Sequence, residues 1–156
     1  MFLHADLLHL GGNMVFLYVF GDNVEDTFGH TRYLVFYLLA GLAAGATHAF
    51  AVSTDFQAIL IPTIGASGAI SGVLGAYLIL YPRARILTLI FFGWIWIIAL
   101  PAVVFLGLWF VYQFLYGLLA LETALSGIAY WAHVGGFAAG LLFGAVWRGR
   151  RRKREF

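Results

Sequence analysis

Five long apolar runs, separated by short polar interruptions, organise the chain: residues 7–20, 33–52, 66–81, 98–119 and 131–147. Several approach the ~20 residues a helix needs to cross about 30 Å of hydrocarbon, and the shorter ones can extend at their ends. Most are apolar on every side, which is expected of helices surrounded by lipid rather than of helices half exposed to water. Turn chemistry sits between them, at Gly21-Asp22-Asn23, Ser53-Thr54-Asp55 and Tyr81-Pro82-Arg83. A sixth run, residues 86–97, is aromatic and apolar but too short for an easy span, and it leads directly into the next one.

Composition supports this pattern. The chain is 63% hydrophobic and 10% charged, whereas a soluble domain carries about 25% charged residues. Its 156 residues accommodate one domain of several spans and no separate soluble module. The absence of cysteine excludes disulfides, thiol nucleophiles and Cys-ligated metal.

Charge placement orients the spans. All nine Lys and Arg residues fall at Arg32, at Arg83 and Arg85, or in the tail from Arg148 to Arg154. With those three places cytoplasmic, the positive-inside rule holds throughout, and the other loops carry Asp6, Asp55 and Glu122 without a Lys or Arg. The chain then reads as an all-α polytopic membrane protein with five spans. Residues 1–147 form the transmembrane domain and residues 148–156 a basic cytoplasmic tail. Residues 86–97 become an interfacial or re-entrant segment on the cytoplasmic side, with its aromatics at headgroup depth. Because the first of five spans would start outside, an N-terminal helix and its following loop are expected to precede this sequence. The basic tail directly after a span suits anionic lipid, so the lipid bilayer is the expected partner and nucleic acid is not.

The topology sets polar residues at one depth. His9 and Asn13 lie in the first turns of the first span, Ser67 at the start of the third and His133 at the start of the fifth. Intramembrane polar groups are costly and are functional suspects. Small residues offer a way to join them. Ser67, Ser71 and Gly75, with Gly68 and Gly72, line the third span, while Gly136, Gly140 and Gly144 line the fifth. Such faces let membrane helices approach closely, and packing these two would bring Ser67 and His133 to one end of a seam.

A serine hydroxyl becomes a useful nucleophile when a base takes its proton, and a neutral histidine is suited to that task. All seven acidic residues fall in expected loops, helix ends or the tail, so a Ser-His dyad is a better reading than a triad. An oxyanion needs donors; Asn13, His9 and the Ser67 backbone N–H are candidates. His9 and Asn13 share a helix face by their four-residue spacing. His30 reads as a solvated loop residue and His48 as a packed or interfacial one. No His-Glu-x-x-His metal motif occurs, and no metal or cofactor is expected.

Three motifs in combination are far more specific than any one alone. His9-Leu-Gly-Gly-Asn13, Gly65-Ala-Ser67-Gly68 and Ala132-His133-Val-Gly-Gly136 closely resemble the rhomboid family of intramembrane serine proteases. The flanking Phe2-Leu-His4 and Phe20-Gly-Asp-Asn-Val-Glu25 agree, and the resemblance covers essentially the whole chain. It implies a rhomboid-like helical bundle in which five transmembrane helices of a six-helix core are present. It implies Ser67 as nucleophile, His133 as general base, and His9, Asn13 and the Ser67 amide around the oxyanion. It also implies cleavage of single-span transmembrane proteins near the outer membrane face, through an acyl-enzyme, with lateral substrate entry beside the fourth span. The expected setting is a prokaryotic plasma membrane with the C-terminal tail in the cytoplasm. The loop at residues 120–130 is the expected lid. One departure is that an aromatic residue, which in some members stacks on the histidine, is replaced here by Ser71. The competing readings are a proteolytically silent relative that binds transmembrane helices, and a small transporter, which the lack of intramembrane acids disfavours.

Overall fold

The apolar runs become five helices in the computed structural model, which describes residues 1–55, 58, 60–123 and 128–152. Helix α1 spans Leu7–Phe28, α2 His30–Ala51, α3 Ser67–Leu80, α4 Ala102–Thr123 and α5 Tyr130–Arg152. Between α3 and α4 the chain forms two antiparallel strands, β1 (Arg85–Phe92) and β2 (Trp94–Pro101).

The innermost helix is α3. Every residue from Gly68 to Tyr77 is buried, because the helix is wedged between α2 and α5 along rows of small side chains. On the α2 side Gly72 meets Ala40, and Gly68 meets Ala44. On the α5 side a Cβ on Gly136 would overlap the Gly68 carbonyl oxygen, and one on Gly140 would overlap that of Gly72. Gly144 continues the row, where a Cβ would lie 3.1 Å from Ala76 Cα. The glycines of α3 and α5 therefore do more than tolerate proximity; backbone lies against backbone along the seam, the contact that drives helix association in lipid.

At one end of this seam the bundle is closed by aromatic rings. Phe28 lies 5.2 Å from Phe36, 5.1 Å from Phe143 and 4.9 Å from Trp147, centroid to centroid. Arg32 caps the Trp147 ring at 5.4 Å, and Arg148 donates to the Ile79 carbonyl at the end of α3. Packing is looser at the opposite end, where Ser67 and His133 lie beside a cavity.

Exposed side chains on the outside are largely apolar. Tyr18, Leu42, Leu108 and Leu142 are 84%, 65%, 66% and 71% exposed. A surface this apolar all round suits hydrocarbon as its solvent, since soluble monomers rarely expose such continuous patches. Among the described residues, α2 and residues 102–121 of α4 are long and apolar enough to cross a membrane.

Several sequence expectations need correction. The fold is not all-α, because residues 85–101 pair as a hairpin around Gly93, whose φ is +67°. Tyr81-Pro82 interrupts the helix and β-branched and aromatic residues follow, a composition that favours strands. The fourth helix consequently starts at Ala102 rather than at residue 98. Gly21-Asp22-Asn23 is not a turn. The first helix runs on to Phe28, burying Val24, Thr27 and Phe28, and the break comes at Gly29, with φ +80°. His30 opens α2 instead of lying in a loop; it is 90% exposed, with Nδ1 2.7 Å from Glu25 Oε1. The fifth helix continues to Arg152, so the first basic residues of the tail are helical. The lid expected at residues 120–130 lies partly outside the described residues, as do tail residues 153–156.

Candidate active site

The loop before α3 is shaped by Gly65. Its φ of +108° favours glycine, and a Cβ there would lie 2.7 Å from Cε1 and Nε2 of the His9 ring. The turn thus delivers Ser67 to the first position of α3 while the His9 ring lies directly against it. Across the seam, the close approach of Gly136 to Gly68 brings the start of α5 alongside, and with it His133.

The two side chains meet. The Ser67 hydroxyl and His133 Nε2 are hydrogen-bonded at 2.7 Å, an ordinary strong hydrogen bond. Ser71, one turn later, is 1% exposed and returns its hydroxyl to the Ser67 carbonyl at 2.6 Å. This ties down the first turn of α3.

His9 and Asn13 line the same cavity, which has a volume of about 550 Å³ and also borders Ser67 and His133. Asp6 caps α1 by accepting the His9 backbone N–H at 2.8 Å. The Ala5 N–H donates to His9 Nδ1 at 3.3 Å. An Nδ1 that accepts leaves the proton on Nε2, the nitrogen that lies against Gly65. The buried Asn13 amide donates one N–H to the His9 carbonyl at 3.0 Å and retains a second. His4 packs edge-on to His9, with centroids 5.2 Å apart.

Two contributors escaped the sequence reading, both on α4. Trp109 lies 6.0 Å from the His133 ring at a 38° tilt and also contacts Phe137 at 5.9 Å. It gives the imidazole an aromatic neighbour that position 71 does not supply. Gln113, 7% exposed, accepts from His133 Nδ1 at 2.9 Å. A sequence signal for it existed. Gln113 is the one amide in α4, and an amide inside an apolar span is a functional suspect by the same rule that singled out Ser67 and His133.

Fold and site together describe a helical membrane bundle holding a hydrogen-bonded serine and histidine at the head of a buried seam. The chain matches the Rhomboid domain over residues 1–150. It belongs to the rhomboid family, and it is an integral membrane protein. It is 30% identical to "Rhomboid protein 1, mitochondrial" of Saccharomyces cerevisiae over 99% of this chain and 43% of the yeast protein. It is 32% identical to "RHOMBOID-like protein 12, mitochondrial" of Arabidopsis thaliana, over 97% of this chain and 46% of that protein. "Rhomboid protease GluP" of Bacillus subtilis is 41% identical over 49% of this chain and 14% of its own length. The chain therefore spans less than half the length of these curated relatives. No solved structure matches it at comparable significance. Two of the three relatives are named as mitochondrial, so the comparisons do not carry the expectation of a prokaryotic plasma membrane.

Proposed function

We propose that this chain carries the active site of an intramembrane serine endopeptidase. The reading rests above all on the 2.7 Å contact between Ser67 Oγ and His133 Nε2, beside a cavity that His9 and Asn13 also line. In the proposed reaction Ser67 Oγ attacks the carbonyl carbon of a scissile peptide bond while its proton passes to His133 Nε2. The C–N bond breaks, and His133 returns that proton to the departing amine. Water entering the cavity then gives its proton to His133, attacks the acyl-enzyme and releases the carboxylic acid with Ser67 restored. The Ser67 backbone N–H, the free N–H of Asn13 and His9 Nε2–H are the proposed oxyanion donors. Each such donor is worth roughly 10²- to 10³-fold in rate.

The substrates are transmembrane proteins, because a site sunk among apolar helices meets a polypeptide that is itself in the membrane. The five helices act as spans, with Ser67 towards the outer face and Arg32, Arg83, Arg85 and Arg148 on the cytoplasmic side. The β1–β2 hairpin lies along the cytoplasmic interface, since its two open edges carry backbone groups that hydrocarbon cannot satisfy.

Cleavage of a single-span substrate by the purified protein in proteoliposomes is the test. Ser67→Ala and His133→Ala are each expected to abolish the cut near the outer end of the substrate helix. Persistence of that cut in either variant would sink the assignment, and a wild-type protein that binds the substrate helix without cutting it would favour the silent relative.

A further inference from the structure

An imidazole has one proton to share between two nitrogens, and a general base at Nε2 requires that proton at Nδ1. His133 Nε2 faces Ser67 Oγ, so something must hold the proton on the far side of the ring. Gln113 Oε1 is there, 2.9 Å from Nδ1. An amide oxygen can only accept. With the proton on Nδ1 this contact is a hydrogen bond; with the proton on Nε2 it becomes a meeting of two lone pairs. We propose that Gln113 is the positioning residue of this site, fixing both the tautomer and the rotation of the His133 ring. The proposal rests on Ser67 and His133 being the reacting pair.

Placement on α4 makes this rigid. Gln113 follows Trp109 by four residues, so both project from one stripe of the helix onto α5. Trp109 lies over the His133 ring while Gln113 holds its edge. A carboxylate performs this service in many serine hydrolases, but an uncompensated charge inside an apolar bundle is costly. A neutral amide supplies the acceptor without that charge. It cannot stabilise the imidazolium as strongly, so its removal is expected to cost less than loss of a triad carboxylate.

Kinetics and nitrogen NMR of the reconstituted protein test the proposal together. Gln113→Leu is expected to lower kcat by ~10- to 100-fold, less than the roughly 10²- to 10⁴-fold that the positioned base itself contributes, with KM and the thermal midpoint unchanged. Gln113→Glu keeps an acceptor at the same reach and is expected to recover most of the lost kcat. In ¹⁵N-histidine-labelled wild-type protein, His133 is expected as the Nδ1–H tautomer, and Gln113→Leu is expected to erode that preference. A wild-type Nε2–H tautomer would overturn the proposal. So would a Gln113→Leu kcat equal to wild type while Ser67→Ala is dead, and that result would leave the protease reading standing. Cleavage that survives Ser67→Ala would instead remove the protease reading and this role with it.

Discussion

Gly140 and Gly107 are both helical glycines, and the space around them separates their roles. A Cβ on Gly140 would strike the Gly72 carbonyl oxygen, carbon and Cα, all backbone atoms that cannot rotate away. Around Gly107 nothing lies within 4 Å. Gly140→Ala is therefore expected to destabilise the bundle by about 1–3 kcal/mol through overpacking, and Gly107→Ala to change little. Unfolding midpoints in detergent check this; equal midpoints for the two variants would contradict the close-packed seam. Among the candidate site residues, Ser67, His133, His9 and Asn13, which line one cavity, were legible because each is a polar group at an expensive depth beside a recognisable motif. Gln113 was overlooked for a physical reason. A carboxylate is the usual partner of such a histidine, whereas a bilayer interior favours a neutral acceptor. Trp109 was hidden among the aromatic residues of α4, where nothing in the sequence distinguishes a ring that faces a histidine from one that faces lipid.

At the scale of elements, apolar runs located helices α1 to α5 among the described residues but misjudged some ends. Gly21-Asp22-Asn23 has turn composition, yet burial of Val24 and Phe28 outweighs that local preference and α1 continues through it. The Thr27 hydroxyl returns to the Asn23 carbonyl at 3.0 Å, and the Tyr81 hydroxyl also reaches that carbonyl at 3.0 Å, so this carbonyl is engaged by two side chains as well. The hairpin is the larger surprise. The apolar run at residues 86–97 suits an interfacial or re-entrant segment, and its strand character follows from β-branched and aromatic content, which in so short a run does not by itself distinguish strand from helix. Ile86 anchors the base of β1 in the core at 7% exposure, while Leu87, Phe91 and Trp94 are 77%, 76% and 79% exposed. Ala102 N–H donates to Ala84 at 2.8 Å, and Val103 N–H to Pro82 at 3.2 Å, closing the hairpin onto the start of α4.

Taken whole, the molecule is polarised along the seam, with closed aromatic packing and basic residues at one end and the cavity at the other. Membrane character was legible from composition because an apolar exterior needs many apolar residues. The proposed orientation has its own test, and the cysteine-free sequence makes single introduced thiols unambiguous reporters. A cysteine at Ser53 is expected to react with an impermeant maleimide from the Ser67 side of sealed vesicles, and one at Arg150 only from the opposite side. Labelling of both from one side would overturn the arrangement of spans. The central claim is that His133 makes Ser67 a nucleophile, and intact-mass analysis after exposure to a fluorophosphonate tests it most directly. Ser67 Oγ would displace fluoride from phosphorus, with its proton taken by His133. The account predicts one adduct, mapped to Ser67, absent in Ser67→Ala and strongly reduced in His133→Ala. An adduct that forms undiminished without His133, or that maps to another residue, would contradict it.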